Sequence, residues 1–127
     1  MKIRLHEDLL YVTAWLIYQG QQVMLENVIL DTGSTGCVFS ADKVDAINLL
    51  PEPQDFIHQI RGVGGKEFVF TKIVDSLSLG ELQVNDFEIE VGAMKYGLNL
   101  DGIIGLDFLL HTQAIIDLSQ LTIYPAQ

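Results

Sequence analysis

The chain has 127 residues, 49% hydrophobic and 19% charged, which supplies the apolar material for one compact domain over 1–127 and excludes global disorder. Seven Lys and Arg against 17 Asp and Glu give a net charge of −10, which repels a phosphate backbone, so no nucleic-acid partner is expected. One cysteine, Cys37, excludes an internal disulfide framework.

In chain order, Ile3 and Leu5 alternate with Lys2, Arg4 and His6. Leu10 to Tyr18 is rich in Val, Thr, Trp, Ile and Tyr, which suit a pleated, half-buried surface. This run lies behind Lys2 and Arg4, but Thr13 interrupts it and Gln-rich sequence follows where a signal peptide has small residues, so it reads as a strand. No segment reaches the ~18 apolar residues of a spanning helix, so no membrane partner is expected. The lack of address signals points to the cytoplasm. Gln19-Gly20-Gln21 predicts a turn and Val23 to Leu30 the second strand of a hairpin. Ala41 to Leu50 predicts a helix, with Ser40 or Asp42 as cap and Pro51 and Pro53 as its stop.

Phe56 to Arg61 and Glu67 to Val74 predict two strands of a long hairpin tipped by Gly62-Val63-Gly64-Gly65. Leu77 and Leu79 lead to a turn at Gly80-Glu81. Leu82 and Val84 have one parity and Phe87, Ile89 and Val91 the other, so the switch at Asn85-Asp86 predicts a turn or bulge. Ile103-Ile104 predicts a short buried strand and Leu106 to Gln113 a second helix. Ala114 to Leu118 and Leu121 to Tyr124 predict the closing strands, with Pro125 as a stop. Many short strands, glycine turns and two short helices predict a mostly β barrel or sandwich.

Chemistry concentrates at Val28-Ile29-Leu30-Asp31-Thr32-Gly33-Ser34-Thr35-Gly36. A buried strand runs into a carboxylate at a tight turn, where Thr32 and Ser34 offer hydroxyls and Gly33 permits close backbone approach. Such residues also end ordinary strands. Two later features add weight: the glycine-tipped hairpin, and Asp101-Gly102-Ile103-Ile104-Gly105-Leu106, which carries two hydrophobes and a glycine into a helix.

Asp-Thr-Gly-Ser, a glycine flap and Ile-Ile-Gly before a helix, in that order, resemble the retropepsin-like aspartic proteases across residues 10 to 124. The resemblance implies a closed β-barrel or sandwich with one or two short helices, and an aspartic endopeptidase without metal or cofactor. Two aspartates that share a proton activate a water in such enzymes. Only one such motif is present, so Asp31 must be matched by Asp31 of a second subunit in a homodimer acting on a peptide or protein. By resemblance, Thr32 bonds across the dimer, the Gly33 amide aims at the carboxylate, and Ser34 supports its outer oxygen. Gly62, Val63, Gly64 and Gly65 form the flap, and Ile103, Ile104 and Gly105 brace the Asp31 loop. The family's basic residue after the glycine is replaced by Leu106-Asp107. The alternative is a catalytically silent peptide-binding or regulatory module on the same fold.

The remaining candidates have ordinary readings. His6, His58 and His111 lack metal-ligand spacing. Cys37 reads as a small buried hydrophobe, Asp101 as a turn residue, Asp107 as a cap of the second helix, and Trp15 as core or interface.

Overall fold

A computed structural model describes residues 1–62, 65–95 and 99–127. Among these residues there are ten strands: β1 (Arg4–His6), β2 (Leu9–Tyr18), β3 (Gln21–Leu30), β4 (Val38–Ser40), β5 (Ile57–Gly62), β6 (Gly65–Leu79), β7 (Leu82–Gly92), β8 (Gly102–Ile104), β9 (Ala114–Asp117) and β10 (Thr122–Pro125). Two short helices, α1 (Ala41–Val44) and α2 (Leu106–His111), complete the mostly β fold.

Strands β1 to β8 form one sheet in the order β1-β2-β3-β8-β4-β7-β6-β5, and β2 also pairs with β6 through Trp15↔Ser78, Leu16↔Leu77 and Ile17↔Ser76. That extra pairing closes β2, β3, β8, β4, β7 and β6 into a ring and leaves β1 and β5 as appended edges. The larger core draws on all six ring strands, including Val12, Leu16, Leu25, Leu30, Phe39, Leu77, Val84, Val91 and Ile104. A smaller cluster packs Ile29, Val38, Val69, Met94, Leu100 and Ile103. Alternating residues of one strand thus enter different cores, Leu30 and Ile104 one and Ile29 and Ile103 the other. Burial on both faces explains why these segments read as continuous apolar runs.

Three expectations are corrected. The helix over Ala41 to Leu50 is cut short: after α1 the chain makes one 3-10 turn at Asp45–Ile47, and Asn48 adopts φ 60°. A left-handed residue ends the helical ladder before either proline can act. The parity switch at Asn85-Asp86 is not a turn, because β7 runs through it and its register with β6 is the same on both sides, from Val74↔Phe87 to Ser76↔Asn85. Asp86 takes φ 51° there and drops out of the ladder with Asp75, and the pairing resumes in the same register beyond it. The second helix ends at His111 rather than Gln113, with the Thr112 hydroxyl donating to the Phe108 carbonyl at 2.9 Å and Gln113 at φ 54°.

Candidate active site

β3 and β8 lie parallel, with Val28↔Gly102, Ile29↔Ile103 and Leu30↔Ile104 in register. The ladder extends one step further, as the Asp31 amide donates to the Ile104 carbonyl at 3.0 Å. Asp31 therefore leaves the end of a strand gripped on both sides, on the face where Ile29 joins the smaller core. The residue is half-buried. The Gly33 amide donates to Asp31 Oδ1 at 2.9 Å, and the Ser34 amide donates to the Asp31 carbonyl at 3.1 Å. A side chain at position 33 would crowd the carboxylate, since a Cβ there would lie 3.1 Å from Oδ1.

The Ser34 hydroxyl does not reach the outer carboxylate oxygen as the resemblance implies. It donates to the Gly36 carbonyl at 2.7 Å, and a hydroxyl has a single proton to give. Ser34 holds the loop through its backbone as well, its carbonyl accepting the Leu106 amide at 2.7 Å. Thr32 is exposed and, among the described residues, makes no side-chain hydrogen bond within the chain.

Ile103, Ile104 and Gly105 lie directly against this loop. A Cβ on Gly105 would lie 2.2 Å from the Gly36 carbonyl oxygen and 2.9 Å from that of Ser34, so only glycine allows the helix start to approach this closely. The Gly105 amide donates to Cys37 Sγ at 3.3 Å, and that thiol donates to Asp107 Oδ1 at 3.4 Å. Burial, together with the neighbouring Asp107 carboxylate, pushes the Cys37 thiol well above its usual range. Cys37 is thus a buried tie rather than a nucleophile. Asp107 is not the helix cap, a place taken by Gly105; it lies in the first turn, where Oδ1 also accepts the Phe108 amide at 2.7 Å.

The β5–β6 hairpin pairs from Ile57↔Phe70 out to Gly62↔Gly65. Val63 and Gly64 of the expected flap lie outside the described residues. Lower in the hairpin, Val69 is buried in the smaller core and Ile60 packs against it. On the same face Glu67 Oε2 accepts the Met94 amide at 3.0 Å, and His58 Nε2 lies 2.5 Å from Glu90 Oε2. The hairpin is therefore joined to Ile29, two residues before Asp31, through one apolar patch.

Asp101 has a role that composition does not signal. The β2–β3 register shifts by one residue after Val12↔Val28, which frees two amides. Asp101, 4% exposed, accepts both, from Glu26 and Asn27 at 3.1 Å each. Its backbone also bridges Asn27 and Ser40. It is a buried bracket at the head of β8, across the β3 bulge, rather than a turn residue. Among the described residues, no group of three or more His, Cys, Asp or Glu could hold a metal ion. No helix of these residues is long and apolar enough to cross a membrane.

The crystal structure of a retropepsin-like aspartic protease from Rickettsia conorii superposes with a TM-score of 0.66 at 15% identity, covering 98% of this chain and 97% of that one. The retroviral protease-like domain of Ddi1 from Leishmania major superposes with a TM-score of 0.63 at 21% identity, covering 94% and 89%. At these identities the likeness establishes a retropepsin-like fold. A search of curated proteins finds no match. The family model described as aspartyl protease matches residues 13–108, three-quarters of the sequence and both halves of the site, and so the chain belongs to the aspartyl protease family.

Proposed function

We propose that the chain is an aspartic endopeptidase, one protease domain over 1–127, active as a homodimer in which Asp31 of each subunit forms the catalytic dyad. The observation that carries this reading is the Asp31 loop: a half-buried aspartate with Gly33 N–H on one carboxylate oxygen, held by Ile104, Gly105 and Leu106. Two such carboxylates facing across a two-fold axis cannot both ionise, so one keeps a proton. The ionised member takes a proton from a water, which attacks the peptide carbonyl. The protonated member donates a hydrogen bond to that carbonyl oxygen. Thr32 sits at the loop tip, free to bond its counterpart. Gly62 to Gly65 close over the peptide and exclude water.

Assembly has support in the strand edges. Residues 1–3 pair with β10 within the chain, through Lys2↔Thr122 and the Ile3 amide on the Leu121 carbonyl. That leaves the outer edge of β9 unpaired among the described residues, with Ile115, Leu118 and Tyr124 exposed beside it. The Ala126 amide bonds the Gln113 carbonyl, so by alternation the backbone groups of Ala114 and Ile116 point outward. A second copy adding antiparallel at this edge would set Ile115 against its own mate on the axis.

The test is Asp31→Asn, which keeps size but removes both ionisable groups of the dyad. Wild type should cleave a peptide library and the variant should not, while both bind peptide and remain folded. Equal cleavage by the two proteins would refute the role of Asp31. Binding by both with cleavage by neither would replace the enzyme with a peptide-binding module.

A further inference from the structure

Away from the Asp31 loop, a cavity of about 490 Å³ opens beside the base of the β5–β6 hairpin, a size that suits ligand sites. Its floor is built around Lys72, a lysine only 6% exposed, which pairs with Glu52 and with Asp55, the latter at 3.0 Å. This triad clamps the 51–56 loop onto β6, and the Phe56 carbonyl adds a bond from the Thr71 amide at 3.1 Å. The clamp fixes the walls and also neutralises the lysine.

The remaining wall is apolar and acidic. Phe56, 81% exposed, and Ile73 offer large apolar surface, and Glu88 faces Ile73 across the β6–β7 pair. Glu88 has no ion-pair partner among the described residues. Asp55 and Glu88 lie in the walls, and Glu52 stands just beyond. These three carboxylates outnumber the one ammonium; of the other lining residues, His58 is already against Glu90 and Tyr18 adds a phenol hydroxyl. An anion would meet this excess negative charge. A purely apolar group would leave Glu88 unanswered.

We infer that this cavity is an accessory site for the Lys or Arg side chain of a polypeptide. The methylene stem lies along Phe56 and Ile73, and the cationic head meets Glu88 with the Phe56 ring beside it. The cavity adjoins the candidate active site through His58 and Glu90, because Glu90 Oε1 lies 3.0 Å from the place of a Cβ on Gly36, in the Asp31 loop. A substrate chain leaving that loop can therefore reach the cavity. Its service to substrate rests on the protease reading, whereas the site itself does not.

The experiment uses full-length Asp31→Asn, so that nothing is cleaved. Acetyl-arginine amide and its neutral isostere acetyl-citrulline amide are titrated separately, with amide NMR shifts read at Phe56, Thr71 and Ile73. Arginine should shift these three amides and citrulline should bind several-fold more weakly. Glu88→Gln should weaken arginine binding roughly 2–5-fold, the scale of an exposed ion pair. Phe56→Ala should weaken it by a similar factor. Both side chains are exposed, so the fold should be unaffected. Equal binding of arginine and citrulline, shifts confined to the Asp31 loop, or indifference to Glu88→Gln would each overturn the site. Arginine binding that persists while wild type cleaves no peptide would uphold the site and remove only its link to proteolysis.

Discussion

Gly105→Ala tests the brace beneath the candidate catalytic loop. The added methyl would lie 2.2 Å from the Gly36 carbonyl oxygen and 2.5 Å from its carbon, where ordinary contact begins at 3.4 Å. Both are backbone atoms and cannot swing aside, so α2 and the Asp31 loop must separate by about 1 Å. The Leu106 amide bond to the Ser34 carbonyl, 2.7 Å in the native chain, then stretches past useful length. Overpacking costs about 1–3 kcal/mol and the lost hydrogen bond about 1 kcal/mol, together about 2–4 kcal/mol. For a chain of this size that lowers Tm by roughly 10 °C. Turnover should fall further than stability, since the displaced loop carries Asp31. Gly20→Ala is the control: it has φ +80° and nothing within 4 Å of the new methyl, so it strains only its own turn and leaves turnover intact. Thermal melts by circular dichroism and a peptide-cleavage assay read both effects. A Gly105→Ala protein with wild-type Tm and wild-type turnover would refute the close-approach argument.

Lys72→Met should lower stability at neutral pH and flatten its dependence on acid. The Lys72 hydrogen bond and charge hold the Glu52 carboxyl below its usual 4.5. Desolvation raises the Asp55 carboxyl, but the Glu52 amide and Lys72 outweigh it and hold it below its usual 3.8. Folded-state values below the unfolded ones contribute stability that is present above the unfolded values and lost as pH falls through the folded ones. Wild type should therefore lose stability below about pH 4.5, and the variant less, in urea melts across pH 3 to 7; parallel curves would refute the clamp. Iodoacetamide at pH 8 should leave Cys37 unlabelled in the folded protein and label it promptly in urea, as read by mass spectrometry; rapid labelling of the folded chain would contradict its burial between Gly105 and Asp107. Ile115→Lys should place like charges together at the proposed axis and convert the proposed dimer to monomer in light scattering, with loss of turnover; an active, dimeric variant would move the interface elsewhere.

Short-range features were legible in the sequence because they depend on neighbours along the chain. Apolar alternation marks strands, Gln19-Gly20 and Gly80 mark hairpin turns, and Val28 to Gly36 shows an apolar strand entering a carboxylate turn. Ile103-Ile104-Gly105 was legible for the same reason, although not why position 105 must be glycine. That reason is the Gly36 carbonyl, 69 residues away in sequence and in contact only after folding. Lys72 carried a readable signal, a charge at an inward parity between Phe70 and Val74, yet its partners Glu52 and Asp55 come from a loop with no periodicity. The role of Asp101 was not legible because its donors are amides freed by a bulge in β3, which composition cannot locate. Closure of the ring through β2 and β6 was likewise a tertiary decision. A period of two residues tells which side chains share a face, but it carries no information about which distant strand supplies the hydrogen bonds or which core receives that face.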